Sequence, residues 1–255
     1  MSFLAAIQLL TSIPLSLKRE MTPAQLGRAT AWFPLVGLII GGILAGLNWL
    51  MGFILPASVA NALLIVALVI LTGAMHLDGF ADTCDGIAGH KPVEERWRVM
   101  HDSRTGAFGV VGVVLLLLVK YVALNNIPTE YLTVTLVFMP VVSRWAMVYA
   151  IFTFPYARPE GLGKAYKAAT RWPQFTIATV ITLVLVAVVL FRWLSVIGML
   201  VFFGIWIFTT LLALYFKHKF AGLTGDTYGA INEVAEVITL ILIVLLYTIG
   251  MGHTM

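Results

Sequence analysis

The sequence predicts an all-α fold: a polytopic transmembrane helix bundle of about seven spans, preceded by an N-terminal interfacial helix. Three observations carry that expectation. Hydrophobic residues make up 60% of the 255-residue chain and charged residues only 11%, against about 25% charged in a soluble domain, and mean hydropathy is +0.98. The apolar residues come in runs of about twenty, long enough to cross a hydrocarbon core as helices. Fourteen of the sixteen basic residues avoid those runs, and thirteen of them collect in alternate connecting segments. One membrane-embedded domain over residues 1–255 accounts for the length.

Taken in order, Phe3 to Leu17 is apolar but too short to span, and reads as an interfacial or re-entrant helix. Its positive charges, Lys18 and Arg19, follow it instead of preceding it, so a cleavable signal peptide is not expected. A polar stretch, Lys18 to Arg28, leads to a first span over about Ala31 to Leu55. Gly37, Gly41, Gly42 and Gly46 in it have the spacing of close helix contacts, and Pro56 ends it. The second span, about Ala57 to Leu77, runs straight into a charged segment that lasts from Asp78 to about Gly106. The third covers about Ala107 to Asn126 and the fourth about Tyr131 to Phe154, with Pro128 between them. A polar loop is expected over Pro155 to Pro173. The fifth and sixth spans are about Gln174 to Leu190 and Leu194 to Phe216. A polar connector, Lys217 to Tyr228, precedes the seventh, about Gly229 to Gly250.

The positive-inside rule supports the count. With seven spans, thirteen of the sixteen basic residues fall on one side: Lys18, Arg19 and Arg28; Lys91, Arg96, Arg98 and Arg104; Arg158, Lys164, Lys167 and Arg171; Lys217 and Lys219. The opposite loops hold only Arg192. The N-terminus is therefore expected on the cytoplasmic side and the C-terminus outside. Two cations are left inside spans. Lys120 lies in the outer part of its helix and is expected to snorkel to the interface as a structural residue. Arg144 lies near mid-span, where a bare cation costs about 2.5–3.5 kcal/mol. It is expected to face the interior and pair with an anion from the protein or from a substrate.

The segment after the second span concentrates the chemistry. In His76-Leu-Asp-Gly-Phe-Ala-Asp-Thr-Cys-Asp-Gly86, Asp78, Asp82 and Asp85 stand at i, i+4 and i+7. On a helix they fall within about 60° of one another. Three carboxylates on one face repel unless a cation lies between them, and oxygen-only ligands suit Mg²⁺, Mn²⁺ or Ca²⁺. A solvated acidic helix end is the plain alternative. It is weakened because the whole chain has only 12 acidic residues. The single cysteine, Cys84, excludes an internal disulfide and a cysteine-based zinc site.

A second acidic group opens the last span: Asp226 and Glu233 at i, i+7, and Asn232 and Glu236 at i, i+4. The helix macrodipole favours Asp226 at an N-terminus but does not explain Glu236, about two turns deeper. Two basic, glycine-containing segments look like anion clamps: Ser103-Arg-Thr-Gly106 around Arg104, and Arg158-Pro-Glu-Gly-Leu-Gly-Lys164, with Gly161 and Gly163 beside Arg158 and Lys164. Two acidic and two basic pieces on one face point to metal-assisted handling of a phosphate ester.

Four motifs, His76 to Gly86, Asp102-Ser-Arg-Thr-Gly-Ala-Phe-Gly109, Arg158 to Gly163 and Thr224-Gly-Asp-Thr-Tyr-Gly-Ala230, resemble the cobalamin synthase (adenosylcobinamide-GDP ribazoletransferase) family, as does Phe33-Pro-Leu-Val-Gly37. The resemblance implies an inner-membrane enzyme that joins α-ribazole, or its 5′-phosphate, to adenosylcobinamide-GDP, releases GMP and depends on Mg²⁺. On that footing Asp78, Asp82, Asp85 and Asp226 are candidate metal ligands, and Asp82, His76 and Glu236 candidate catalytic groups. Substrate contacts are expected from Ser103, Arg104, Arg144, Arg158, Gly161, Gly163, Lys164, Gly225, Asn232 and Glu233. A carboxylate or His76 would take the hydroxyl proton, and the sequence does not choose between them. The expected partners are these small molecules and membrane lipid, not nucleic acid; oligomeric state, a homo-oligomer included, is left open. Two other readings compete. Asp82-Thr-Cys-Asp-Gly86 resembles the opening of the CDP-alcohol phosphotransferase pattern, but the remainder of that pattern does not follow. A cation transporter would use the aspartates as its ion site, although these lie beyond the end of a span and not at a midplane break.

Overall fold

The protein is described by a computed structural model covering residues 2–14, 22–189 and 195–251. Twelve α-helices are described: α1 (Ser2–Leu10), α2 (Pro23–Thr30), α3 (Phe33–Met51), α4 (Ala57–Leu71), α5 (Met75–Ile87), α6 (Val93–Met100), α7 (Ala107–Asn125), α8 (Thr129–Thr153), α9 (Leu162–Ala169), α10 (Trp172–Val189), α11 (Ser195–Phe220) and α12 (Gly225–Leu246). A π-helical turn, Tyr247–Met251, follows. Five of them, α3, α7, α8, α11 and α12, are long and apolar enough to cross a membrane alone. Two more spans result if each bent pair counts once: α4 turns 90° into α5, and α9 turns 94° into α10. The count is therefore five to seven among the described residues, with the expected seven at its upper end.

α8 is the axis of the bundle, buried almost continuously from Leu132 to Ile151. α3 lies directly on it. A Cβ on Gly37 would stand 2.3 Å from the Pro140 carbonyl oxygen, and one on Gly41 2.6 Å from Val137 Cα. Two of the four expected contact glycines therefore pack as the spacing implied. Gly42 and Gly46 do not: a Cβ there would meet nothing within 4 Å. They lie off the α8-facing stripe, because four glycines over ten residues cannot all share one helix face. The outer face of α7, with Val110, Val111, Val114, Leu115 and Leu118, is exposed and apolar, as a surface against acyl chains must be.

The segments read as polar connectors carry helices of their own. α2 opens on a capping box in which Thr22 accepts from the Gln25 amide and Gln25 returns a bond to the Thr22 amide. α9 occupies the middle of the expected loop Pro155 to Pro173. α11 continues to Phe220, past the expected Phe216, and α12 starts at Gly225, before the expected Gly229, because Thr224 caps it by accepting from the Thr227 amide. α1 ends at Leu10, short of Leu17, and the residues from 15 to 21, with Lys18 and Arg19, lie outside the described residues, as does Arg192. α1 is also no isolated surface helix: Ala5, Ala6 and Leu10 are buried, and the Ser12 amide donates to the Leu71 carbonyl at the end of α4.

The basic segments converge at one end of the bundle. Gly27 of α2 packs against Ala169 of α9, Arg158 bonds His101, and the Trp97 indole of α6 donates to the Phe220 carbonyl at the end of α11. α5 lies across this same end. Gly73 and Ala74 both have positive φ, +60° and +56°, and this left-handed pair turns the chain out of α4. Beyond that turn α5 crosses the first turns of α7 and α12, with Gly109 against Ala81 and Gly79 against Asp226.

Candidate active site

The site forms where α5 crosses α12. Gly79 has no side chain, and a Cβ there would stand 2.9 Å from the Asp226 carbonyl oxygen; Gly229 returns the fit, its Cβ position 3.1 Å from the His76 carbonyl. The two acidic segments, about 140 residues apart in sequence, are thus in backbone contact. The far end of α5 is held by Arg96, 5% exposed, which donates to the carbonyls of Gly86, Ile87, Gly89 and Lys91 at 2.7–2.9 Å. A single bridge ties the loop after α8 to the loop before α12: the Ala157 amide donates to Leu223 and the Leu223 amide to Pro155, both at 2.8 Å. That bridge sets Arg158 beside Asp226, with an Nη2–Oδ2 ion pair of 3.0 Å, while Nη1 lies 2.9 Å from His101 Nε2.

A cavity of about 360 Å³ opens at this point. Seven of the sequence-predicted site residues line it: His76, Asp78, Arg158, Gly161, Gly163, Gly225 and Asp226. Asp82 is half-buried one turn beyond Asp78. Burial, with the charges of Asp226, Asp78 and Asp85 around it and only Arg158 in opposition, pushes its carboxyl up to about 7. This excess of negative charge is what a divalent cation relieves. The donor set is all oxygen, which suits a hard cation. Among the described residues no three acidic, imidazole or thiol groups are gathered into a ready-made cage. Mg²⁺ needs none, since it is usually held by one or two carboxylates together with substrate phosphates.

Other predicted residues have different partners. Asp85, 8% exposed, accepts from the Gly106 amide at 2.7 Å and the Gly109 amide at 2.8 Å. Both of its oxygens thereby cap the N-terminus of α7, where orphan amides and the macrodipole favour a carboxylate. Arg104 is exposed and bonded to Asp102, at 3.1 Å and 2.9 Å, instead of reaching the cavity, and it holds the Asp102 carboxyl down at about 2. Ser103 is exposed in the same loop. Lys164 is exposed and donates to the Pro159 carbonyl.

Behind the cavity lies a buried ionic network. Glu236 pairs with Arg144 and, at 2.6 Å, with Lys120, which also reaches Glu233 at 2.6 Å. Asn232 donates to Glu236 at 3.3 Å and Ser143 bonds Arg144. Arg144 therefore faces the interior and pairs with an anion, as its mid-span position required. Lys120 overturns its expectation: it is 2% exposed and does not snorkel. The signal was present as a charge count. Two glutamates inside the last span need two cations inside other spans, and Lys120 and Arg144 are the two available. Sequence reasoning also missed the aromatic wall of the cavity, Phe33, Tyr156, Tyr166 and Tyr228. Apolar runs give no sign of which aromatic residue faces a pocket.

Fold and site together define a multi-pass helical membrane protein with an acidic and basic cavity at one end of its bundle. A family model described as cobalamin-5-phosphate synthase matches residues 2–244. The chain belongs to that family. It is 38% identical over 246 residues to an adenosylcobinamide-GDP ribazoletransferase of Geotalea daltonii, covering 95% of this chain and 96% of that protein. Proteins of the same name from Roseiflexus sp. and Thermosynechococcus vestitus are each 37% identical, over 92% and 94% of this chain and 86% and 94% of their own lengths. No solved structure matches.

Proposed function

We propose that this protein is an adenosylcobinamide-GDP ribazoletransferase, acting in the last steps of cobalamin biosynthesis. The observation that carries the reading is the meeting of Asp78, Asp226 and Arg158 in one glycine-edged cavity, in a chain whose full-length relatives bear that name. The reaction forms a bond from a ribazole hydroxyl oxygen to the phosphorus attached to the corrinoid side chain. The bond from that phosphorus to the GMP oxygen breaks, GMP departs, and the hydroxyl proton passes to a carboxylate. Arg158 offsets charge that builds on the phosphoryl oxygens. Gly225, where a Cβ would meet nothing within 4 Å, leaves backbone open to the pyrophosphate, while Gly161 and Gly163 make room for Tyr156. The proton acceptor is the one of the site carboxylates Asp78, Asp82 and Asp226 that is not held to the cation. Mg²⁺ held by the others would neutralise the pyrophosphate and the leaving GMP. Asp85 and Arg104, engaged elsewhere, take no part, and Glu233, Glu236, Arg144 and Asn232 support the site from behind.

The same reading puts the protein in a bacterial inner membrane with the cavity on the cytoplasmic side, where the thirteen basic residues belong. Cation transport through the aspartates is disfavoured because Asp78 and Asp226 line a cavity at one end of the bundle, not a break at its midplane. The deciding assay is purified protein with adenosylcobinamide-GDP and α-ribazole, with and without Mg²⁺. GMP and cobalamin should form together, and only with the metal. Absence of GMP from well-folded protein with both substrates and Mg²⁺ removes the reading.

A further inference from the structure

The cavity is chemically divided. Its mouth carries Asp78, His101, Arg158 and Asp226, all exposed or half-buried. Its inner wall is apolar and aromatic: Leu10 from α1, Phe33 from α3, Met147 and Ile151 from α8, and Tyr166 from α9, where Phe33 and Tyr166 meet edge to face at 6.2 Å. At the back stand His76 and Tyr228, each 3% exposed. Neither ring nitrogen of His76 has a hydrogen-bond partner, and neither does the Tyr228 hydroxyl. Buried polar atoms of this kind are ordinarily satisfied. Both residues border the cavity, and the three atoms are enclosed by protein. A diphosphate has no place against such a wall, and a corrin macrocycle with its amide arms is too large for about 360 Å³. A flat, neutral, bicyclic heteroaromatic base with a ring nitrogen that accepts a hydrogen bond matches both the wall and the back.

We infer that the inner chamber is the acceptor subsite: it takes the benzimidazole base of the ribazole nucleoside, ring nitrogen against His76 or Tyr228 and ribose hydroxyls toward Asp78 and Asp226, while the corrinoid stays outside the mouth. This rests on the transferase reading for the identity of the nucleoside. His76 is then a binding residue, and the hydroxyl proton is left to a carboxylate.

The test is equilibrium binding of α-ribazole alone to the purified full-length protein, followed by the fluorescence of its base. Ile151→Trp fills the chamber. It should weaken α-ribazole binding and raise the KM for α-ribazole by about tenfold or more, leaving the KM for adenosylcobinamide-GDP within about twofold. Ile151→Ala enlarges the chamber and should bind the riboside of a larger, naphtho-fused base about tenfold better than the unmodified protein does. Misfolding cannot produce that gain. An indole riboside, lacking the ring nitrogen, should bind the unmodified protein about tenfold more weakly than α-ribazole and bind His76→Phe no worse than α-ribazole does. If folded Ile151→Trp binds α-ribazole as the unmodified protein does, and Ile151→Ala gains nothing, the subsite is wrong even when GMP is formed. If α-ribazole binds, and Ile151→Trp abolishes that binding, but no GMP is released, the transferase reading fails and the subsite stands.

Discussion

At the scale of single residues, Asp82 and Asp85 show how one helical face can hold two different kinds of carboxylate. Asp85 has two backbone amides and a fixed role at the start of α7. Asp82 has like charges about it and a carboxyl raised to about 7. We expect Asp82→Asn to abolish GMP release while leaving the protein folded; near-normal turnover at limiting Mg²⁺ would count against the metal assignment. The raised value also sets a pH dependence. The folded state holds the Asp82 proton above the ordinary value of 3.8, so this group's stabilising contribution is lost as pH rises through about 7. Metal-free protein should therefore unfold at a lower temperature at pH 8 than at pH 6, Mg²⁺ should reverse the loss, and Asp82→Asn should flatten it. Asp85→Ala belongs to a different class. It should cost about 1–2 kcal/mol through the lost cap, read as a lower unfolding temperature that Mg²⁺ does not restore.

Between elements, the contact that makes the site is the crossing of α5 over α12. Its closeness comes from Gly79, whose missing Cβ leaves room for the Asp226 backbone. Gly79→Ala must push the helices apart. A destabilisation of about 1–3 kcal/mol is expected, together with lost activity, because Asp78 and Asp226 then separate. Gly42→Ala is the control. It faces open space, so thermal unfolding in detergent should show no loss and activity should be unchanged. Equal losses from the two substitutions would mean that helix packing, not this crossing, governs both.

For the whole molecule, the interior network joins α7, α8 and α12 through Lys120, Arg144 and the two glutamates. Its charges balance, two against two. Removing one partner leaves a buried carboxylate uncompensated, at a cost of about 3–5 kcal/mol. Lys120→Met should therefore be strongly destabilised, and Lys120→Met with Glu233→Gln should recover part of the loss, since the second change removes the orphan charge. A loss in Lys120→Met no larger than a surface substitution would return Lys120 to the interface. Topology is the remaining global property. Reporters fused after residue 255 should be active only in periplasmic form; cytoplasmic activity would overturn the seven-span orientation.

How much of this was legible depends on whether the signal was local. Length and hydropathy determined the polytopic helical bundle, because a bilayer demands long apolar helices, and charge asymmetry set the expected orientation, because Lys and Arg are sorted by side. The acidic helix was legible for the same reason: Asp78, Asp82 and Asp85 share a face by periodicity alone. The capping box Thr22 to Gln25 is also written in the chain. What periodicity cannot carry is which faces meet. Only the tertiary structure turned Asp85 into a cap, withdrew Arg104 to Asp102, drew Lys120 inward to Glu233 and Glu236, and gathered Phe33, Tyr166, His76 and Tyr228 around one cavity. Those outcomes depend on the 90° turn at Gly73 and Ala74 and on glycine-to-backbone contacts between helices remote in sequence. The energy that decides them belongs to pairs of residues that no single segment contains.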